Sequence, residues 1–461
     1  MAITWILLAA YLAAVAAIGW LSRRRAGRSE ASYFVADRSF SPLWGFLGLA
    51  SLTTGGSTTV ALAASVAQHG LAGIWLDLAG AVGLLLLGLL LARRVRREGA
   101  VTLPEIVGRY YGGGARRVAG GLVLVSEIVW FALLIEATQV VLSAATGLPP
   151  TAAIVGSTAV FVLYTALGGQ FAVVRTDAVQ YGLMVLTIPG IALAFTLARP
   201  HAFAGLPAGA LDFPTSATLS ATDVLGLLVL IGLPHLVGSD VYAKLLSCRD
   251  GKTARRAALA AALSKVVFGG AVAAIALAAR AALPAGPAIT TLPRAVLAFV
   301  PHPLDALVLV GLVATMHSSA DAVLLSAAAV TVRDLAPRSR PAAPPAAGVS
   351  AARLLTPLYA ALGLLLALAL DRDVLETLKL GYSIFAAGLI LPVLAALLAP
   401  GRVPAAGAMG AMIAGGGLAA IGRFWPAAVG GADPVLAGTG VNLAILAVAA
   451  IAGAARRPLP S

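Results

Sequence analysis

A run of hydroxyl side chains interrupts an apolar stretch of the chain. The segment SLTTGGSTT, residues 51–59, places six serine and threonine hydroxyls around two adjacent glycines. The flanking residues, FSPLWGFLGLA and VALAASVA, carry no charge. Adjacent glycines weaken a helix, and hydroxyls with freed backbone carbonyls are the neutral oxygen ligands that hard cations accept. The segment favours a broken helix that binds an ion or a polar solute, with a plain kink or a close helix crossing as the alternative.

A second set of hydroxyls lies far along the chain, in the apolar stretch around HSSAD. Thr315, Ser318 and Ser319 are spaced i, i+3 and i+4, so on a helix they share one face. Two hydroxyls on one face could close an oxygen cage around a cation. In many helices such hydroxyls hydrogen-bond to carbonyls of their own helix, and the spacing alone leaves both interpretations open.

A second break matches the first. The segment GLPHLVGSD, residues 232–240, combines two glycines with a proline inside an apolar stretch. In lipid, irregular backbone survives only where it is buried in protein or lines a cavity. Secondary transporters with inverted repeats place two broken helices opposite each other at the membrane midplane. We therefore expect a solute to bind where the breaks meet, with these candidates: Thr53, Gly55, Ser57, Thr58 and His235.

Ionisable and polar groups inside apolar segments are functional candidates by default. Asp77, early in its segment, and Tyr382, in LGYSIFAAG, join the solute candidates. A position at the water interface is the alternative for Asp77, and simple packing is the alternative for Tyr382. For Lys265 we expect only snorkelling of the ammonium toward the inner interface.

The composition predicts an all-α polytopic membrane protein with a single transmembrane domain, residues 1–461. The chain is 60% hydrophobic and 11% charged, with a mean hydropathy of +0.96. Soluble proteins carry about 25% charged residues, and a spanning helix needs about 20 apolar ones. The thirteen predicted segments are 2–21, 42–66, 71–92, 118–146, 150–168, 178–198, 222–243, 257–283, 303–330, 351–370, 374–399, 404–422 and 435–455.

The distribution of basic residues predicts the orientation. Of the 32 Lys and Arg, 25 lie in loops that the thirteen segments place on one face, and six lie on the other. The basic face is expected to be cytoplasmic, with the N-terminus outside and the C-terminus inside an inner or plasma membrane. The net charge of +13 is thus explained by topology and not by nucleic-acid binding. A single cysteine, Cys248, excludes a disulfide within the chain, and the Pro/Ala-rich residues 337–348 predict a linker.

The two breaks are five segments apart, which predicts two five-helix inverted repeats. The first repeat would span residues 42–198 and the second residues 222–399. Residues 2–21 would form one extra helix before them, retained and not cleaved. Residues 404–455 would form two extra helices after them.

Four motifs, in order, resemble the sodium:solute symporter family, which contains bacterial proline, sialic acid and galactose transporters. The motifs are SYFVADRSFSPLWG, VTLPEIVGRYYG, YTALGGQFAVVRTDAVQYGLM and HSSADAVLLSAAAVTVRDL, and the likeness covers roughly residues 30 to 400. The resemblance implies the LeuT-type fold. It also implies a sodium site between the break at 51–59 and the helix at 315–319. The implied ligands are the carbonyls of Ser51, Thr54 and Thr315 and the hydroxyls of Ser318 and Ser319.

Some members of that family bind a second sodium through a carboxylate that matches Asp177. The two further hydroxyl positions are Asp321 and Ala322 in this chain, so the second site departs from the family pattern. Asp177 and Asp321 remain candidates for a second ion or a proton. The alternatives are that Asp321 pairs with Arg175 and that Asp177 lies at a helix N-terminus capped by Thr176.

These features together predict a sodium-coupled secondary symporter that imports a small organic solute by alternating access. Na⁺ is the expected coupling ion, with no organic cofactor, and the expected partners are the solute and the lipid bilayer. No nucleic acid and no obligate protein partner are expected. No nucleophile–base pair, metal-ligand cluster or phosphate-binding loop is recognisable, so we expect no enzyme activity. A proton-coupled transporter and a transporter-like membrane sensor are the alternatives.

Overall fold

The computed structural model describes residues 2–198, 201–336, 347–370 and 374–455. These ranges are helical throughout apart from short connections, which confirms the all-α class. The helices α1 to α18 are, in order, Ala2–Ala26, Glu30–Val35, Pro42–Thr54, Ser57–His69, Trp75–Leu86, Ala92–Glu98, Leu103–Thr146, Pro150–Ala198, Ala221–Leu227, Leu233–Val237, Ser239–Ser247, Gly251–Ala282, Thr291–Phe299, Leu304–Val330, Ala347–Ala369, Val374–Leu398, Ala405–Phe424 and Pro434–Ala455.

Eleven helices within the described ranges are long and apolar enough to cross a bilayer. The number differs from thirteen partly because the helices between Ser57 and Glu98 follow one another without a gap and count as one stretch of 42 residues, although the chain turns at Gly70, where φ is +69°. That stretch joins the outer half of one predicted segment to the next. The count of thirteen therefore stays a prediction.

The break at the first hydroxyl segment is real, and glycine is required there. Helix α3 ends at Thr54 and α4 begins at Ser57. Between them Gly56 adopts φ +71°, a left-handed conformation that other residues reach only with strain. A Cβ on Gly56 would lie 2.7 Å from the Ser319 hydroxyl oxygen. The glycine pair thus lets the broken helix approach α14 closely.

The second break is present as well. Helix α10 ends at Val237, and Gly238 takes an extended conformation with ψ 139° before α11 begins at Ser239. Both short helices are largely buried, as expected for irregular backbone at membrane depth. Breaks were predicted at both places, and both predictions are confirmed.

Helix α8 corrects one reading of the sequence around Asp177. The helix is continuous except for a turn at Gly169, where φ is +51° and a Cβ would lie 2.6 Å from the Tyr33 carbonyl oxygen. Thr176 lies well inside the helix and donates its hydroxyl to the Val173 carbonyl at 2.8 Å. The interpretation of Thr176 as a helix cap with Asp177 on the dipole is therefore wrong.

Helix α14 forms the centre of the molecule. All its residues from Val308 to Val330 are buried, and α7, α8, α15 and α3 pack around it. In the most apolar part of the last helix, Pro434–Gly453, only 22% of residues are buried. Large apolar side chains such as Leu186 and Ile451 are more than 70% exposed, as expected for surfaces that face lipid.

Loops that the charge pattern assigns to one face contact each other. Arg38 donates to the Gly99 carbonyl at 2.6 Å, and Arg353 donates to the Leu167 carbonyl at 3.2 Å. At the opposite end, the Trp75 indole N–H donates to the Pro214 carbonyl at 2.9 Å. These contacts agree with the predicted assignment of the loops to two faces. The orientation of the chain in the membrane and its division into repeats stay predictions. Residues 337–346 of the predicted linker lie outside the described residues.

Candidate functional site

The hydroxyls of α14 meet the break in α3–α4. The Ser318 hydroxyl lies 3.1 Å from the Ser51 carbonyl oxygen and 2.8 Å from the Thr315 carbonyl oxygen. The Ser319 hydroxyl lies 3.2 Å from the Leu52 carbonyl oxygen. The Gly56 N–H donates to the Thr315 carbonyl at 3.0 Å and ties the break to α14. Ser318 thus bonds within its own helix, as one interpretation of the serine spacing expects, and also reaches the broken helix, while cation binding by these hydroxyls stays a prediction.

The atoms gathered here are all neutral oxygens. The hydroxyl oxygens of Ser51 and Thr54 are buried without a hydrogen-bond partner in the described structure. A cluster of carbonyl and hydroxyl oxygens suits a hard cation and offers nothing to a soft one. Leu52 was missed, because its side chain gives no signal and only its carbonyl takes part. Thr54 was expected to offer its carbonyl, and the structure shows in addition that its hydroxyl is buried without a hydrogen-bond partner at the end of α3.

Six of the predicted solute residues line one cavity beside this cluster. They are Thr53, Gly55, Ser57, Thr58, His235 and Tyr382. Ser319 lines the cavity too, so one residue borders both the oxygen cluster and the cavity. Trp130 and Asp240 also line it and were not among the predicted site residues. Trp130 gives no recognisable signal in the sequence, whereas Asp240 ends the break segment GLPHLVGSD and is an ionisable residue next to a broken helix, which could have identified it.

Asp77 lies outside that cavity and is paired with a lysine. Its carboxylate is 2.5 Å from the Lys265 ammonium, and both side chains are almost fully buried. Lys265 also donates to the Thr53 carbonyl at the break. Gly80 makes room, because a Cβ there would lie 2.5 Å from Lys265 Cε. The expectation that Lys265 snorkels is wrong: the ammonium turns inward to a carboxylate on another helix.

Asp177 has a lysine of its own. Its carboxylate is 2.5 Å from the Lys244 ammonium, with both groups at most 1% exposed. The basic-residue count had assigned Lys244 to an inner loop, and the structure places this side chain inside the protein instead. Asp321 accepts hydrogen bonds from Thr165 at 2.8 Å and Thr176 at 3.4 Å. A second sodium at Asp177 would lie next to the Lys244 ammonium, which is bonded to one carboxylate oxygen and leaves the other without a hydrogen-bond partner in the described structure.

Arg175, which the sequence analysis considered as a partner of Asp321, donates to the Ser22 hydroxyl at 3.0 Å.

Cys248 is buried in the connection between α11 and α12, where burial raises the pKa of its thiol to about 12. No group of three or more His, Cys, Asp or Glu able to hold a metal occurs in the part of the chain that the structure describes.

The comparison with protein families decides the class of protein. The model described as "Sodium:solute symporter family" matches residues 33–415. The chain belongs to the sodium:solute symporter family. The motif-based resemblance is thereby confirmed, and it places the molecule among multi-pass membrane transporters.

Two curated members of related function show how far the sequence likeness extends. The high-affinity choline transporter 1 of Caenorhabditis elegans is 31% identical over 159 residues, 34% of this chain and 27% of that protein. The sodium/iodide cotransporter of Homo sapiens is 25% identical over 255 residues, 52% of this chain and 39% of that protein. The matches thus span well under half the length of these relatives.

Solved structures confirm the LeuT-type fold. A Na⁺-coupled sialic acid symporter in a substrate-bound outward-open state has a TM-score of 0.79 at 17% identity, covering 99% of this chain and 98% of that chain. A nucleobase-cation-symport-1 family transporter in a closed conformation has a TM-score of 0.58 at 16% identity, covering 93% and 95%. At such identities the likeness concerns the fold alone.

Proposed function

We propose that this protein is a sodium-coupled symporter that imports a small organic solute by alternating access. Membership of the family supports the proposal, and one observation carries it. The Ser318 hydroxyl lies between a carbonyl of the broken helix and a carbonyl of α14, in a buried cluster of neutral oxygens. Sodium is a co-substrate here, and its ligands would be Ser51, Leu52, Thr54, Thr315, Ser318 and Ser319.

Sodium would bind by replacing hydrogen bonds that hold the two helices together. The Ser319 hydroxyl donates to the Leu52 carbonyl, and the single hydrogen of the Ser318 hydroxyl is within reach of the Ser51 and Thr315 carbonyls. Rotation of the two hydroxyls frees their lone pairs and the carbonyls for the cation. The ion then links α3 to α14 more strongly than neutral hydrogen bonds do.

Coupling follows from the shared wall between ion and solute. Ser319 and the glycine pair border the oxygen cluster and also line the cavity. An ion that fixes this wall raises the affinity for the solute, and by linkage the solute raises the affinity for the ion. Alternating access requires that the loaded state rearrange more readily than the half-loaded one.

We propose one sodium per cycle. Lys244 supplies a fixed positive charge at Asp177, the position considered for a second ion. A buried carboxylate that already has a hydrogen-bonded ammonium gains little from a second cation. Proton coupling is the alternative, because the buried carboxylates of Asp177 and Asp321 could carry the coupling proton.

The proposed topology has the N-terminus outside and the C-terminus in the cytoplasm, in an inner or plasma membrane. The basic loops support this, since loops of the predicted inner face contact one another. We also propose the two inverted repeats at residues 42–198 and 222–399, since each begins with a broken helix.

Sodium binding can be tested without knowing the solute. The purified full chain in detergent is heated in NaCl and in KCl at equal ionic strength, and Tm is recorded. We expect a Tm that rises with sodium concentration and saturates, because only the folded state binds the ion. Equal Tm values in the two salts at all concentrations would overturn the proposed sodium site.

A further inference from the structure

Two carboxylates beside the cavity have no cation of their own. Asp240, on α11, lines the cavity, and one of its oxygens accepts from the Val241 N–H at 2.7 Å. Glu127, on α7, is fully buried and forms no ion pair within the described residues, while the Ser326 hydroxyl lies close enough to act on its carboxylate. The charge that acts on Glu127 is that of Asp240. Neither carboxylate forms an ion pair within the described ranges.

Two other buried acids, Asp77 and Asp177, differ from Asp240 and Glu127 in having a lysine partner. Asp77 and Asp177 each have a lysine ammonium at 2.5 Å. Both lysines are therefore already bonded, and Lys244, which also acts on Asp240 from further away, is bonded to Asp177. Burying a charge without a partner is costly. Asp240 thus lines the cavity without an ammonium of its own, with Glu127 buried behind the lining, and a cationic ligand would supply the positive charge.

Aromatic rings complete the same wall. Trp130 and Tyr382 both line the cavity, with ring centroids 4.9 Å apart and planes tilted by 47°. The ring of Phe385, outside the cavity lining, lies with its centroid 5.3 Å from that of Trp130. Aromatic faces attract cations, most strongly where water is excluded, and quaternary ammonium groups are bound in this way. An anion in the cavity would meet the Asp240 carboxylate and these aromatic rings.

We propose that the solute is a small organic cation, an amine or a quaternary ammonium, whose charge lies between Asp240 and the rings of Trp130 and Tyr382. The inference rests on the proposed function and specifies its substrate class. Relatives and structural neighbours handle solutes of both signs, namely choline, iodide and sialic acid. The charges of this chain's own cavity select the positive class.

The test is a binding panel on the purified full chain in saturating sodium. The probes are choline, tetramethylammonium and ethanolamine as cations, and 3,3-dimethylbutan-1-ol as the uncharged isostere of choline. Iodide, acetate, sialic acid, galactose and proline represent anionic, neutral and zwitterionic solutes. We expect at least one ammonium to bind, and the isostere to bind at least about tenfold more weakly than choline if choline is the binder. Binding only of anionic or neutral probes, or of none of the ammonium probes, overturns the inference.

Variants locate the charge. Asp240→Asn and Glu127→Gln are expected to weaken cation binding by roughly tenfold or more, while Asp240→Glu keeps the charge and most of the affinity. Asp212→Asn, in an exposed outer loop, is the matched control. Unchanged cation binding in both Asp240→Asn and Glu127→Gln overturns the placement of the solute.

The sodium-dependent rise of Tm separates this inference from the proposed function. It also shows that each variant is folded, because only a folded protein binds the ion. If sodium stabilises the protein and an anion is the solute, the substrate class is wrong and the symporter proposal stands. If sodium has no effect on the native chain, the proposed function itself fails.

Discussion

Ser318 is the residue at which the central helix meets the broken helix. Its hydroxyl bonds to the Ser51 carbonyl across the interface and to the Thr315 carbonyl in its own helix. Ser319, next to it, reaches the Leu52 carbonyl. In the proposed mechanism, these two hydroxyls exchange their neutral hydrogen bonds for contacts with a cation, so the proposal assigns ion recognition largely to two adjacent serines.

Removing both hydroxyls is expected to raise the sodium requirement. In Ser318→Ala with Ser319→Ala, two ion ligands disappear, and each hydrogen bond to a charged partner is worth about 1.5–3 kcal/mol. The sodium concentration that gives half of the Tm shift should rise by at least about tenfold.

The control for this variant is Ser157→Ala. Ser157 is equally buried, and its hydroxyl also bonds to a carbonyl of its own helix, at 3.0 Å from Ile154, away from the oxygen cluster. Its sodium dependence should match the native chain. A double-serine variant with native sodium dependence would show that the ion binds elsewhere.

The ion pair between Asp77 on α5 and Lys265 on α12 stabilises the end of the broken helix α3. Both charges are buried, and the lysine also donates to the Thr53 carbonyl. Removing one partner leaves an unpaired buried charge, so Asp77→Asn or Lys265→Met alone should cost about 3–5 kcal/mol of unfolding free energy. Asp77→Asn combined with Lys265→Met should cost less than the sum of the two single changes. The Tm of the native chain, the two single variants and the double variant form a double-mutant cycle. Decreases in Tm that add up in the double variant would show that the two residues are not coupled.

Residue-scale reasoning from the sequence worked where the signal is local and failed where it is not. The serine spacing and the hydroxyls around Gly55 and Gly56 are local patterns, and six of seven predicted solute residues line one cavity. Lys265 and Lys244 were misplaced because their partners come from distant parts of the chain. A lysine in an apolar helix can snorkel or pair, and only the fold decides between the two.

At the scale of the elements, the two breaks position the site. The freed carbonyls of α3 and the start of α4 face α14, and Gly238 brings Asp240 of α11 to the same cavity. Both breaks were predictable from glycine and proline in apolar runs. Which carbonyl faces the serines was not predictable, since the approach of α3 to α14 depends on the packing of both helices.

The break should not tolerate a side chain at Gly56. In Gly56→Ala the new Cβ would meet the Ser319 hydroxyl at 2.7 Å, and φ +71° is strained by about 1–2 kcal/mol for a residue with a Cβ. We expect the sodium-dependent rise of Tm to be lost or strongly weakened. Gly182→Ala is the control, because a Cβ there meets nothing within 4 Å. Native sodium dependence in Gly56→Ala would contradict the close contact between the break and α14.

At the scale of the whole molecule, composition and charge pattern predicted most of the architecture. Apolar length alone gave the helical membrane class, and the loops sort to two ends as the basic residues indicate. The number of spans was harder to predict from the sequence. Between Ser57 and Glu98, for example, the chain turns at Gly70 without a long connecting loop. The shape of the cavity could not be predicted from the sequence either, because it depends on how α7, α11, α14 and α16 pack against one another.

The orientation is directly testable with introduced cysteines. The native Cys248 is buried and its pKa is about 12, so it should not react with a maleimide. An impermeant maleimide added to intact cells should label Ala217→Cys, in an exposed loop of the predicted outer face. Lys252→Cys, in the predicted inner loop, should be labelled only after the membrane is opened. The reverse pattern would invert the proposed topology.

The central claim is that a sodium gradient drives solute transport through this fold. The most direct measurement is uptake of the radiolabelled binding probe into proteoliposomes that contain the purified chain. Uptake is compared under an inward sodium gradient and under an inward proton gradient without sodium. The account predicts transient accumulation above equilibrium with the sodium gradient, and loss of it in Ser318→Ala with Ser319→Ala. Equal accumulation with the proton gradient in the absence of sodium would contradict it.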